Sequence, residues 1–146
     1  VLRDLSHEID YIIQIFGRMN KIFAIIRNTK VLDIKSEDIS EVIFESKSGV
    51  IINLHLDYLS RIVFRNGIVH TNSSTIQFDL IENKLTHSEK GSQTYSYERN
   101  DTYIEQLKYF LSDDLSSLCC IQDANYIMKI IEAAEESQKL GKWIEL

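Results

Sequence analysis

VLRDLSHEIDYIIQIFG, residues 1–17, reads as one amphipathic helix closed by a glycine. At about 100° per residue, Leu2, Leu5, Ile9, Ile12 and Phe16 share one face, with Ile13 at its edge. Asp4, His7, Tyr11 and Gln14 gather on roughly the opposite face. A carboxylate and an imidazole at i and i+3 on a helix are neighbours. Such a pair handles protons, because an imidazole with an ordinary pKa of ~6.5 serves as acid or base at neutral pH. A solvated helix face carries the same spacing, and spacing alone leaves both readings of Asp4 and His7 open. The chain begins with Val1 rather than Met, inside the pattern, so a preceding segment is expected.

The 146 residues suit one domain with a core that needs neither disulfide nor metal. Hydrophobic residues at 44% and charged ones at 26% give the balance of a soluble globular protein. A net charge of −6 argues against a nucleic-acid surface, which needs clustered Lys and Arg. The nearest approach to such a cluster is Arg61 with Arg65. No apolar run has the length of a membrane span, and neither a signal peptide nor a membrane partner is expected. Cys119 and Cys120 are adjacent, a spacing at which a bridge is strained. Two free thiols in a reducing compartment, the cytoplasm, are expected.

Past Gly17 the pattern turns strand-like: IFAII at 22–26, then Ser40–Ser46, then VIINLHLDYLS after Gly49. In the third run Ile52, Leu54, Leu56 and Tyr58 alternate with Asn53, His55 and Asp57, the signature of a sheet with one packed and one polar face. Such alternation favours antiparallel pairing. Further strands are predicted at Arg61–Phe64, Ile68–Thr71, Ser74–Leu80 and Thr94–Glu98, with a polar, turn-rich stretch at Glu82–Gln93. A helix begins near Asp101 with Thr102 and Glu105 as a capping box and buries Ile104, Leu107 and Leu111. Another runs from a cap at Asp123 to Leu140, with Ala124, Ile127, Ile131 and Ala134 as its stripe and Gly141 as its end. Trp143–Leu146 suits a short last strand. Helix, antiparallel strands, then helices make an α+β domain.

His55 and Asp57 lie on one side of their strand beside Asn53, lining a pocket or facing water. Asp57, Tyr58, Arg61 and Arg65 include two guanidiniums that suit an anion such as a phosphate or carboxylate; exposed edge-strand charges account for the same residues. His7, His55, His70 and His87 form no H-x-x-H or C-x-x-C set, so no metal site is expected. There is no G-x-G-x-x-G, P-loop or G-x-S-x-G motif.

The segment at 1–17 resembles a signature of the Gfo/Idh/MocA family, named for glucose–fructose oxidoreductase and inositol dehydrogenase: D-x-x-x-H-x-x-D followed by an apolar run ending in Gly. His7, Asp10 and the Phe16-Gly17 ending match. Asp38, the strands after it and Gly49 resemble a further stretch of the family, as does Thr75-Ile76-Gln77-Phe78-Asp79, where Ser74 replaces a usual glycine. The closing AAEESQKLGKWIEL is similar to the family's C-terminal ending. The resemblance implies that residues 1–146 are the C-terminal substrate-binding and oligomerisation domain of a two-domain oxidoreductase, whose N-terminal Rossmann domain lies outside this chain and binds NAD or NADP. It implies an open, mainly antiparallel sheet with helices packed on one face, like the C-terminal domain of glyceraldehyde-3-phosphate dehydrogenase. It further implies a sugar or sugar-derivative substrate oxidised or reduced at a hydroxyl or keto group, and a homo-oligomer formed through the open sheet face. His7 would move the hydroxyl proton, with Asp4 beside it and Tyr11, Asp57, Tyr58 and Arg61 toward substrate; Asp10 is expected to be structural. In the family the Asp precedes the His by four residues, where this chain has Arg3; Asp4 precedes His7 by three. The alternative is a non-catalytic ligand-binding or dimerisation module of the same fold.

Overall fold

A computed structural model describes residues 1–98, 100–112 and 118–146. In chain order its elements are α1 (Ser6–Phe16), β1 (Met19–Arg27), β2 (Ile39–Ser46), β3 (Ile51–Asp57), β4 (Asn66–His70), β5 (Thr75–Asp79), β6 (Lys84–His87), β7 (Gly91–Thr94), α2 (Asp101–Leu111), α3 (Ile121–Leu140) and β8 (Ile144–Glu145). The α+β class and antiparallel pairing are those expected, with the strands divided between two four-stranded sheets. The chain forms two compact units, Val1–Ser60 with Cys119–Leu146, and Arg61–Leu118.

In the first unit the sheet order is β3-β2-β1-β8. The register sets Ile22 beside Phe44 and Ala24 beside Val42, while Val42 and Phe44 pair on their other side with Leu54 and Ile52. Because side chains alternate across a strand, these residues share one face, and that face is buried. It forms one core with Ile9 and Ile12 of α1 and Ile130, Ile131 and Ala134 of α3. Full burial of each such large side chain contributes about 1.5–3 kcal/mol. Leu5, Ile13 and Phe16 pack partly buried against this core, so the apolar stripe of the opening segment faces inward. Gly17 ends α1 with φ at +79°, where L side chains are strained, and its amide bonds to the Ile13 carbonyl at 2.8 Å.

The last strand covers only part of its neighbour, since β8 pairs with β1 at Lys21 and Ile22 alone. Beyond it, α3 side chains take over the exposed edge. The Ala24 amide donates to Ser137 Oγ at 3.0 Å and the Ile26 amide to Gln138 Oε1 at 2.7 Å. Ser137 Oγ in turn donates to the Lys142 carbonyl at 2.7 Å. An open strand edge is thereby closed by a helix, and the serine of the C-terminal signature has a structural purpose.

The second unit holds a meander in the order β4-β5-β6-β7. Gly67 faces Phe78 across β4 and β5, and a Cβ there would lie 2.4 Å from the Phe78 ring. The strand expected at Arg61–Phe64 is irregular, and β4 begins at Asn66. Ile62 and Val63 are almost fully exposed, so their β propensity finds no packed surface to act on. The polar stretch at Glu82–Gln93 contains β6 and most of β7, and the strand expected at Thr94–Glu98 ends at Thr94. These strands bury little, which erased the apolar alternation that would have marked them. No residue of α2 is buried, contrary to the expectation for Ile104, Leu107 and Leu111. Periodicity identified an amphipathic helix there but could not supply its cover. The capping box also fails to form: Asn100 precedes α2 without a side-chain cap bond, and Asp101 accepts the Glu98 amide instead at 2.8 Å. Helix α3 starts at Ile121, two residues before the expected cap; Asp123 accepts a bond from the Cys120 thiol at 3.0 Å.

Candidate active site

The opening segment is not helical throughout. Residues 2–5 form a turn, with the Leu5 amide on the Val1 carbonyl at 2.9 Å, and α1 begins at Ser6. Asp4 therefore lies ahead of the helix and is not the helical i,i+3 neighbour of His7 that the spacing predicts. Its Oδ2 instead accepts a hydrogen bond from the Tyr58 hydroxyl at 2.8 Å. Burial and the Asp4 carboxylate together push the Tyr58 phenol up to about 12, so it remains a donor.

Tyr58 is itself well anchored. It follows the last residue of β3, and its amide donates to the Asp38 carbonyl at 3.0 Å. Asp38 is fully enclosed, with Oδ1 accepting the Thr29 amide at 2.8 Å and Oδ2 the Thr29 hydroxyl at 2.7 Å. Burial pushes the Asp38 carboxyl up, but the Thr29 donors outweigh it and hold the group below its usual range.

His7 is exposed, and its Nε2 lies 3.1 Å from Oε1 of Glu8, whose side chain is buried. Sequence reasoning passed over Glu8, yet a signal was available. It sits four residues before Ile12, at the margin of the apolar stripe, where a charge needs a partner. Tyr11, assigned to the polar stripe, is half-buried and packs against the core.

Both ring nitrogens of His55 face carboxylates: Nδ1 lies 2.5 Å from Glu41 Oε1 and Nε2 3.0 Å from Asp57 Oδ2. Partial burial opposes protonation, but the two carboxylates prevail and raise the ring above its ordinary 6.5. Asp57 also accepts the Leu59 and Ser60 amides, each at 2.6 Å, and the Ser60 hydroxyl at 3.0 Å. Burial acts against its ionisation, and these donors with His55 hold it low. Its oxygens thus terminate β3 and fix the backbone that delivers Tyr58. Arg61 is exposed at the start of the second unit, and the Arg65 carbonyl accepts the Leu80 amide at 2.8 Å.

Cys119 and Cys120 are exposed free thiols. Burial of its sulfur, with Asp10 and Asp123 nearby, pushes the Cys119 thiol up. Among the described residues no group of three or more His, Cys, Asp or Glu side chains is placed to hold a metal ion. No helix among them is long and apolar enough to cross a membrane.

No protein-family model matches the chain, and no curated protein matches it. Solved structures do. GenD2 from gentamicin A biosynthesis, crystallised with NAD, superposes with a TM-score of 0.77 at 19% identity, over 99% of this chain and 47% of that one. The fold is shared with oxidoreductases. One from Agrobacterium radiobacter, in complex with NAD+, L-tartaric acid and magnesium, gives a TM-score of 0.79 at 18% identity, covering 99% of this chain and 48% of that one. The WlbA dehydrogenase from Bordetella pertussis, in complex with NADH and UDP-GlcNAcA, gives 0.75 at 13%, covering 98% and 46%. The chain spans about half the length of each.

Proposed function

We propose that this chain is the C-terminal, substrate-binding half of an NAD(P)-dependent oxidoreductase of the Gfo/Idh/MocA type, acting on a hydroxyl or keto group of a sugar or sugar derivative. The observation that carries the reading is a half-chain fold match to oxidoreductases crystallised with nicotinamide dinucleotides, one of them with a UDP-sugar. The ordered sequence resemblances support it independently.

The residues of this chain do not fit a dinucleotide. A pyrophosphate site needs a glycine-rich turn opening a helix, and the five glycines are scattered singly. In this reading NAD or NADP belongs to a preceding Rossmann domain, and the fragment alone is inactive. What the chain contributes is substrate binding and proton movement. His7, exposed in the first turn of α1 with the Glu8 carboxylate beside it, exchanges a proton with the reacting hydroxyl. Asp4, whose Oδ2 accepts the Tyr58 hydroxyl at 2.8 Å, is proposed to serve with His7, and Tyr11 and Arg61 are proposed as substrate contacts.

The face of the first sheet opposite α3 suits a second copy of the chain. Ile25, Ile51 and Trp143 are exposed there, and Trp143 packs on Phe23 with ring centroids 5.9 Å apart. A homo-oligomer through this face belongs to the proposal, as does a cytoplasmic location, which suits the exposed free thiols. The test is turnover by the full-length protein on a panel of sugars and nucleotide sugars with NAD and NADP, beside His7→Asn. Abolished turnover in the variant supports the assignment, whereas wild-type turnover removes His7 from the mechanism. Size-exclusion chromatography tests the oligomer, and a monomer at high concentration counts against it.

A further inference from the structure

Asp4 lies outside the helix that carries His7, so the helical repeat does not fix its carboxylate. The fixing contact comes from the end of β3, where the Tyr58 hydroxyl donates to Asp4 Oδ2 at 2.8 Å. The backbone that carries the phenol is held at two points, at Tyr58 itself and at the residue before it. The Tyr58 amide donates to the Asp38 carbonyl at 3.0 Å, and the Asp38 carboxylate is itself clamped by both donors of Thr29. The residue before it, Asp57, is locked by the amides of Leu59 and Ser60.

We propose that Tyr58 is a positioning residue: anchored through Asp38 and Asp57, it aims the Asp4 carboxylate into the site in place of a helical neighbour. The proposal rests on the reading of His7 and Asp4 given above and assigns Tyr58 a duty other than direct substrate contact. With Oδ2 engaged by the phenol, Oδ1 is the oxygen assigned to a substrate hydroxyl, since a carboxylate offers acceptor sites on both oxygens. Because the Tyr58 pKa is pushed up to about 12, this donor persists across the range in which an imidazole titrates.

The experiment is a double-mutant cycle on the full-length protein, with Asp4→Ala, Tyr58→Phe and the pair compared for kcat, KM and melting temperature. Tyr58→Phe should lower kcat roughly tenfold with little change in KM. The same substitution in the Asp4→Ala background should change kcat by less than about twofold, because the group it positions is gone. An equal loss in both backgrounds overturns the proposal, and so does an Asp4→Ala variant of wild-type turnover. A structural role would persist in the double variant. Where Tyr58→Phe does not fold, fluorotyrosine labelling replaces it: the Tyr58 fluorine resonance should move in Asp4→Ala, and an unmoved resonance refutes the contact. Retained turnover in His7→Asn would sink the proton-transfer reading separately, leaving the Asp4–Tyr58 cycle to be judged by itself.

Discussion

Ser137→Ala tests how the first unit closes its sheet. Ser137 is fully enclosed; its Oγ accepts the Ala24 amide at 3.0 Å and donates to the Lys142 carbonyl at 2.7 Å. Because β8 stops after pairing with Lys21 and Ile22, removal of the hydroxyl leaves the Ala24 amide without a ladder partner. An orphaned buried donor costs about 1–3 kcal/mol. The lost bond to Lys142, only partly buried, adds about 0.5–1.5 kcal/mol, since water can replace it. Deleting one oxygen opens no cavity of consequence, so the expected destabilisation is about 2–4 kcal/mol. Against a typical domain stability of about 5–15 kcal/mol this is a large fraction. Urea melts of wild type and variant, followed by circular dichroism, should show a lower midpoint with an unchanged slope. A loss below about 0.5 kcal/mol would refute the edge-closing role.

Further outcomes concern the ionisable groups and the second sheet. His55 has its pKa raised by Glu41 and Asp57, so its stabilisation is fully present below the unfolded imidazole value and is lost as pH rises through the folded one. The stability gap between wild type and His55→Gln should therefore be wider near about pH 5.5 than near about pH 8, and stay under about 1 kcal/mol because the ring is half in water; urea melts at both pH values check it. Glu8→Gln keeps the side-chain size but removes the charge 3.1 Å from His7 Nε2. It should lower kcat of the full-length protein by roughly tenfold or more, and steady-state kinetics at wild-type level would show that His7 works without it. Gly67→Ala pushes a Cβ against the Phe78 ring and should cost about 1–3 kcal/mol, measured by thermal melting with the ring shift read by NMR.

The first unit was legible in the sequence because its faces are chemically distinct. Clean alternation at Ile52, Leu54 and Leu56 marked β3, and the Ile127, Ile131 and Ala134 stripe marked α3, both of them burying the face that the pattern named. The second unit was read less well. Strands such as Lys84–His87 and Gly91–Thr94 bury little and pair through their backbones, a feature that side-chain patterns do not encode. The proposed site divides in the same way. His7 is proposed from its place on the helix and from the resemblance, whereas the partner of Asp4 comes from the structure alone. That pairing spans fifty-four residues of chain and depends on a non-helical turn before Ser6, which no periodicity forecasts. Glu8 is masked in the sequence by His7 beside it on the polar stripe, although its position at the edge of the apolar face marks it for burial.

His7 is proposed to move the substrate proton in an oxidoreductase of which this chain is the substrate-binding half. The most direct test is nicotinamide-coupled turnover by the full-length protein, wild type against His7→Asn, on a panel of sugars and nucleotide sugars. Wild type should turn over at least one substrate, and kcat should fall roughly a hundredfold or more in the variant, the range of a general acid or base. Equal turnover by the two proteins would contradict that role for His7.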